Sequence, residues 1–176
     1  MFDFSGGRVG ILMTLFAATL LAPSLGLASF HPTQSDAVRK EIEAQYARRD
    51  QAFKNKEFDF LKSQETSDYS EKMKDGEVRN KEECDGLADQ MASMVKEVTD
   101  EATKVESVKD GDADGEYIVV ASDSGRLTLA TPDGQTHLAV GSSRGRDVWV
   151  KTDQGWKIKH HEQLESTFQI DGKTVN

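Results

Sequence analysis

The stretch from Arg144 to Phe168, RGRDVWVKTDQGWKIKHHEQLESTF, constrains the fold of this chain most. Two runs of alternating character flank Thr152-Asp153-Gln154-Gly155, a pattern that predicts an antiparallel hairpin. Strand side chains alternate with period two, so Trp156, Ile158, His160, Glu162, Leu164 and Phe168 share one face of the second strand. Lys157, Lys159, His161, Gln163 and Glu165 share the other. The first face is apolar apart from His160 and Glu162, so it is either a pocket wall or a core with a locally paired polar spot. On the first strand Arg144 has the parity of Val148 and Val150, which would carry it to the pocket as a carboxylate anchor unless it stays on the surface. A bulge at Gly141 or Gly145 would reverse that parity. Trp149 has the opposite parity and is expected on the outer sheet face, as an interface candidate.

The rest of the chain supplies elements to pack on this hairpin. Val38, Ile42, Tyr46, Arg49 and Phe53 recur at spacings of three and four, predicting a helix from a Thr33 cap to about Asn55. A short second helix carries Phe58 and Leu61 to the core, Thr66 to Met73 reads as a strand, and Asp75-Gly76 as a turn. Asn80 and Glu83 form a capping box for a third helix, with Leu87, Met91, Met94, Val95 and Val98 as its apolar stripe. From about Thr103 the chain reads as strands: 103–109, 116–122, 126–131, 135–151 and 155–168. Helices followed by a strand meander predict an α+β class, with three N-terminal helices packed on a curved antiparallel sheet.

Arg8, the apolar run from Val9 to Leu21 and the small residues of Gly26-Leu27-Ala28 predict a signal peptide over residues 1–28 and one domain over 29–176. The run is shorter than the roughly 20 residues of a membrane span, so no stable membrane insertion is expected after cleavage. The protein is then exported, to the periplasm or the medium. The formal charge is −9, and Asp3 and Arg8 cancel, so the mature chain keeps it. Such an acidic balance disfavours nucleic acid as a partner. Cys84 is the single cysteine, so the fold relies on its core and not on an internal disulfide.

Several pieces, in order, resemble the nuclear transport factor 2-like superfamily, which includes ketosteroid isomerase and SnoaL-like cyclases. They are residues 46–52 (YARRDQA), Ser67-Asp68-Tyr69, Asp75-Gly76 with the Asn80–Glu83 helix start, Gly111-Asp112-Ala113, Asp147 to Lys151 with Arg144, and Gly155 to Ile158. The chain looks most like small secreted bacterial members of unknown function. The resemblance implies a cone-shaped α+β domain with a pocket between helices and sheet, and a homodimer formed through the sheet. It also implies no single activity. The isomerase's inward tyrosine and strand aspartate correspond to Tyr46 and Asp68, although Tyr69 better fits the inward aromatic position.

The candidate site therefore comprises Tyr46, Tyr69, Arg144, Trp156, His160 and Glu162, for a small, partly apolar molecule. In a closed pocket His160 and Glu162 could shuttle a proton; otherwise they are a satisfied core pair or exposed residues. No cofactor is expected, and no metal, since the parity turns His161 away from any third-ligand position. Residues 110–115, DGDADG, match half a calcium loop, but its twelfth position is Ala121 and its flanks read as strands, so a hairpin turn is expected. The leading function is ligand binding. A cofactor-free isomerase, dehydratase or cyclase is the alternative, and a structural module with a filled cone is the third.

Overall fold

The computed structural model describes residues 34–175. The expected signal peptide and the Thr33 cap lie outside them. Helix α1, Gln34–Lys54, is followed by α2, Phe58–Ser63, and by a hairpin of β1, Glu65–Lys72, with β2, Val78–Asn80. Helix α3, Lys81–Met94, comes next, and then β3, Val95–Asp110, β4, Glu116–Ala130, β5, Thr136–Thr152, β6, Gly155–Ile170, and the short β7, Lys173–Thr174. Among the described residues no helix is long and apolar enough to cross a membrane.

Local chemistry sets several of these boundaries. Asn80 Oδ1 accepts from the Glu83 N–H while Glu83 Oε2 accepts from the Asn80 N–H, the reciprocal box that starts α3. The β5–β6 turn closes on Gly155 at φ +100°, a conformation that side chains disfavour. Residues 110–115 form the β3–β4 turn, tied by the Gly111 N–H to Glu116 O.

The sheet runs in the order β2-β1-β6-β5-β4-β3, with β7 on β6. It is mixed, because β1 lies parallel to β6, where a purely antiparallel sheet was expected. Only α1 and α2 precede the sheet; α3 follows the first hairpin. That helix stops at Met94, so Val95 and Val98 belong to β3 and not to its apolar stripe. The strands expected at 116–122 and 126–131 are one continuous β4, and Asp123-Ser124-Gly125 pair with β5 where a turn was expected.

The register of β6 decides what faces the helices. Trp149 pairs with Ile158 and Val148 with His160, so one step on β5 spans two on β6 and Lys159 is the extra residue of a bulge. From there to a second bulge at Leu164 the parity is inverted. Trp156 and Ile158 point inward as expected, and then His161, not His160, does so. On β5 the inward set is Ala139, Gly141, Ser143, Gly145, Asp147 and Trp149, the opposite of the parity expected from Val148 and Val150. One apolar cluster gathers Ile42, Tyr46, Val119, Trp149 and Ile158; a second gathers Phe58, Val95, Leu127 and Ala139.

Candidate functional site

Between α1, α2, α3 and the concave sheet lies a cavity of about 160 Å³. The helices contribute Phe53, Phe58, Leu61, Leu87 and Met91 to its wall, and the strands contribute most of its charge.

At one corner Tyr46, Asp147, Trp149 and His161 form a single hydrogen-bonded chain. Trp149 Nε1 donates to the Tyr46 hydroxyl at 2.9 Å, the hydroxyl donates to Asp147 Oδ2, and His161 Nδ1 meets Asp147 Oδ1 at 2.6 Å. The Trp149 and Tyr46 rings also meet edge to face at 5.2 Å. Trp149 is wholly buried, and Asp147 and His161 keep 6% and 8% of their surface. Both Asp147 oxygens are thus engaged, and Nε2 is the imidazole nitrogen left to meet a ligand. Gly145 makes room for that ring. A Cβ there would run into His161 Cε1 and lie 3.2 Å from Nδ1.

The electrostatics follow from burying opposite charges together. Burial works against the His161 imidazolium, but the charge and hydrogen bond of Asp147 outweigh it, so the pKa rises above its ordinary value. Burial likewise favours the neutral form of Asp147, and His161 and the Tyr46 hydroxyl reverse that, holding the carboxyl below its usual range. Burial, then the neighbouring Asp147 charge, push the Tyr46 phenol well up, so it stays a donor.

Elsewhere on the wall Asp50, Glu101 and Asp123 come from α1, β3 and β4. Asp50 is occupied, accepting from the Thr103 N–H at 2.8 Å and from its hydroxyl at 2.6 Å. Burial, and then Asp50, push Glu101 up to about 8. Burial, followed by Glu101 and Asp147, pushes Asp123 well above the usual carboxylate range.

The residues singled out in the sequence divide. Tyr46 and Tyr69 line the cavity. Trp156, expected in the pocket, is buried without lining the cavity, donating Nε1–H to Glu41 and meeting Tyr117 edge-on. His160 is on the outer face, its Nδ1 2.9 Å from Ser70 Oγ, and Glu162 there pairs with Lys72 and Arg146. Both were expected in the pocket; the Lys159 bulge turns them out. Arg144 also lies outside, 2.8 Å from Glu106, because the inward parity of β5 is that of Asp147. Trp149, expected outside as an interface residue, is interior for the same reason. Asp68 is exposed. Sequence reasoning missed His161, Asp147, Arg49, Glu101 and Asp123 as cavity residues. The adjacent histidines offered two equivalent choices, and only strand pairing selects between them. Burial, then Glu71 and Glu65, raise the half-buried Cys84 thiol to about 12, which keeps it protonated and unreactive. Among the described residues no three His, Cys, Asp or Glu side chains are arranged to hold a metal ion.

Helices laid against a curved mixed sheet, with a cavity between, define an α+β cone. The fold is that of the nuclear transport factor 2-like superfamily. A conserved protein from Planctomyces limnophilus is similar with TM-score 0.57 at 15% identity, covering 72% of this chain and 94% of its own. A type 2 hexachlorocyclohexane dehydrochlorinase is similar with TM-score 0.53 at 14% identity, over 76% and 88%. A proposed dehydratase from the nuclear transport factor 2-like family, from Streptomyces avermitilis, is similar with TM-score 0.52 at 13% identity, over 74% and 97%. No protein-family model matches the sequence, and no curated protein is significantly similar to it.

Proposed function

We propose that this domain binds a small, partly apolar molecule in its cavity and removes a proton from carbon with His161 as general base, without a cofactor. The observation that carries the reading is the buried Asp147–His161 pair on the wall of a largely apolar cavity. Asp147 holds the imidazole by Nδ1 and steadies the imidazolium once it forms, and Tyr46 positions Asp147 through its second oxygen. Above its raised pKa the His161 ring is neutral, and there the Nε2 lone pair takes the proton. The C–H electron pair moves toward an adjacent carbonyl or expels a leaving group on the next carbon. His161 then returns the proton at another carbon, an isomerisation, or releases it to water, an elimination. The dehydrochlorinase and the proposed dehydratase that share the fold are named for eliminations, which supports the class and not a substrate.

The test is deuterium exchange at carbon for a panel of small aryl ketones in D₂O, followed by proton NMR. Wild-type protein should accelerate exchange of at least one ketone, and His161→Gln should remove about 10²–10⁴-fold of that acceleration. Exchange at the buffer rate for the whole panel, or an unchanged rate in the variant, would sink the reading.

Export belongs to the same proposal: N-terminal sequencing of secreted protein should begin at Ser29. So does a homodimer, for which the contact would be the outward, half-buried Val148 and Val150 rather than Trp149. Sedimentation at micromolar concentration tests it, and a monomer would refute it.

A further inference from the structure

We propose that Glu101 and Asp123 form a cation subsite on the β3–β4 wall of the cavity, which takes the ammonium group of a small arylalkyl amine. The inference deepens the ligand-binding reading above and rests on it.

Thr103 pairs with Asp123 and Glu101 with Gly125, so Glu101 and Asp123 are diagonal neighbours on one face of the β3–β4 ladder, close enough to grip one group together. Both line the cavity. Glu101 is 7% exposed, yet its Oε2 is buried without a hydrogen-bond partner, as is Asp123 Oδ1. Buried polar atoms ordinarily find partners. Each of the other carboxyls of the wall lies against a donor or a cation: Asp50 has Thr103, Asp147 has His161 and Tyr46, Asp85 has Lys81, Glu71 lies 3.6 Å from Arg79, and Glu65, whose Oε2 is likewise without a hydrogen bond, has the Lys81 ammonium 3.0 Å away. The two orphaned oxygens are acceptors that the fold has positioned and not used.

The chemistry of the occupant follows from what they lack. An alkyl ammonium carries several N–H donors on one atom and can bridge two carboxyl groups, and its charge offsets theirs. A carboxylate or phosphate brings no N–H donors and would be repelled once either carboxyl ionises. Phe53, Phe58, Leu61 and Met91 give the remainder of the cavity an apolar wall. A volume near 160 Å³ suits one aromatic ring, since an engineered cavity of about 150 Å³ takes up benzene. The charges facing the subsite are Arg49, Asp50 and Lys54 on α1, Asp100 on β3 and Asp147 on β5. Arg49 and Lys54 oppose a cation and the three aspartates favour it. Because burial holds Glu101 protonated up to about 8 and pushes Asp123 above its usual range, amine binding must expel a proton from the pair. Affinity should therefore tighten as pH rises toward 8, where an alkyl ammonium is still protonated.

The test is calorimetry with 2-phenylethylamine and its neutral counterpart 2-phenylethanol, on wild type, Glu101→Gln and Asp123→Asn. The amine should bind at least about tenfold tighter than the alcohol, because a hydrogen bond to a charged group is worth more than a neutral one. Its binding should release protons to the buffer, and each variant should remove the preference while still binding the alcohol. Retained alcohol binding also shows that a variant has folded. Equal affinity for amine and alcohol in wild type, or an amine preference that survives both variants, overturns the subsite and leaves the cavity reading standing. Binding of neither compound at millimolar concentration overturns both.

Discussion

The cavity wall carries two polar clusters that are electrostatically opposite. At the Asp147–His161 corner a negative and a positive group share one hydrogen-bonded chain, and each carboxylate oxygen has a donor. At the Glu101–Asp123 cluster two like groups face each other and an oxygen of each is orphaned. Burial penalises charge in both places, but only at the first is a partner present to repay it, so that corner stays ionised while the other turns neutral. Burial alone therefore does not set the protonation state of a cavity wall; the sign of the neighbour does.

Removing one member from each cluster should give the largest contrast. His161→Leu strands a buried carboxylate and should destabilise the fold by about 3–5 kcal/mol in chemical denaturation. Glu101→Gln removes an unsatisfied acid and should be neutral or slightly stabilising. Equal losses from the two would erase the distinction.

The next effect is on the pH dependence of stability. Glu101 binds its proton up to about 8 when folded but only to its ordinary 4.5 when unfolded, so the native state holds more protons between those values and stability falls as pH rises through them. Asp123 acts in the same direction. His161, with its raised pKa, adds stability that is complete below its ordinary 6.5 and lost as pH climbs through the folded value. Unfolding free energy should be greatest on the acid side of neutrality, near pH 5, and drop by a few kcal/mol toward pH 8 or above. Glu101→Gln should flatten most of that slope. A stability maximum at pH 8 would contradict these assignments.

Gly145→Ala tests the corner from behind. Its Cβ must displace the His161 ring, so a loss of about 1–3 kcal/mol is expected, as for overpacking. The His161 pKa, followed by NMR, should fall as the contact with Asp147 loosens. Unchanged titration would mean that the ring has room elsewhere.

Tyr46→Phe should cost a similar amount, about 1–3 kcal/mol, since it deprives Asp147 of one donor and Trp149 of its acceptor. The indole N–H should become visible to hydrogen exchange. Its continued protection would show that another acceptor takes over.

The local layer of this architecture was legible in the sequence. The Asn80–Glu83 box, the helical stripe of Val38, Ile42 and Tyr46, the turn at Thr152–Gly155 and the inward Trp156 and Ile158 all depend on neighbours a few residues away. The α+β class and the superfamily resemblance followed from the order of such elements. What was not legible lies where a long strand meets its partner. Lys159 is extra only because Val148 pairs with His160 and Trp149 with Ile158, a count made between strands and invisible within either one. That single residue puts His161 against Asp147 and sends His160 to Ser70. Asp123-Ser124-Gly125 has the composition of a turn, yet the sheet extends it through the middle of β4 and exposes Asp123 to the cavity and Glu101. Periodicity records which residues share a face, because that is geometry along one strand. Which face becomes the interior is chosen by pairing and by the helices packed across it, and here those interactions, not the local pattern, brought Asp147 and His161 inside.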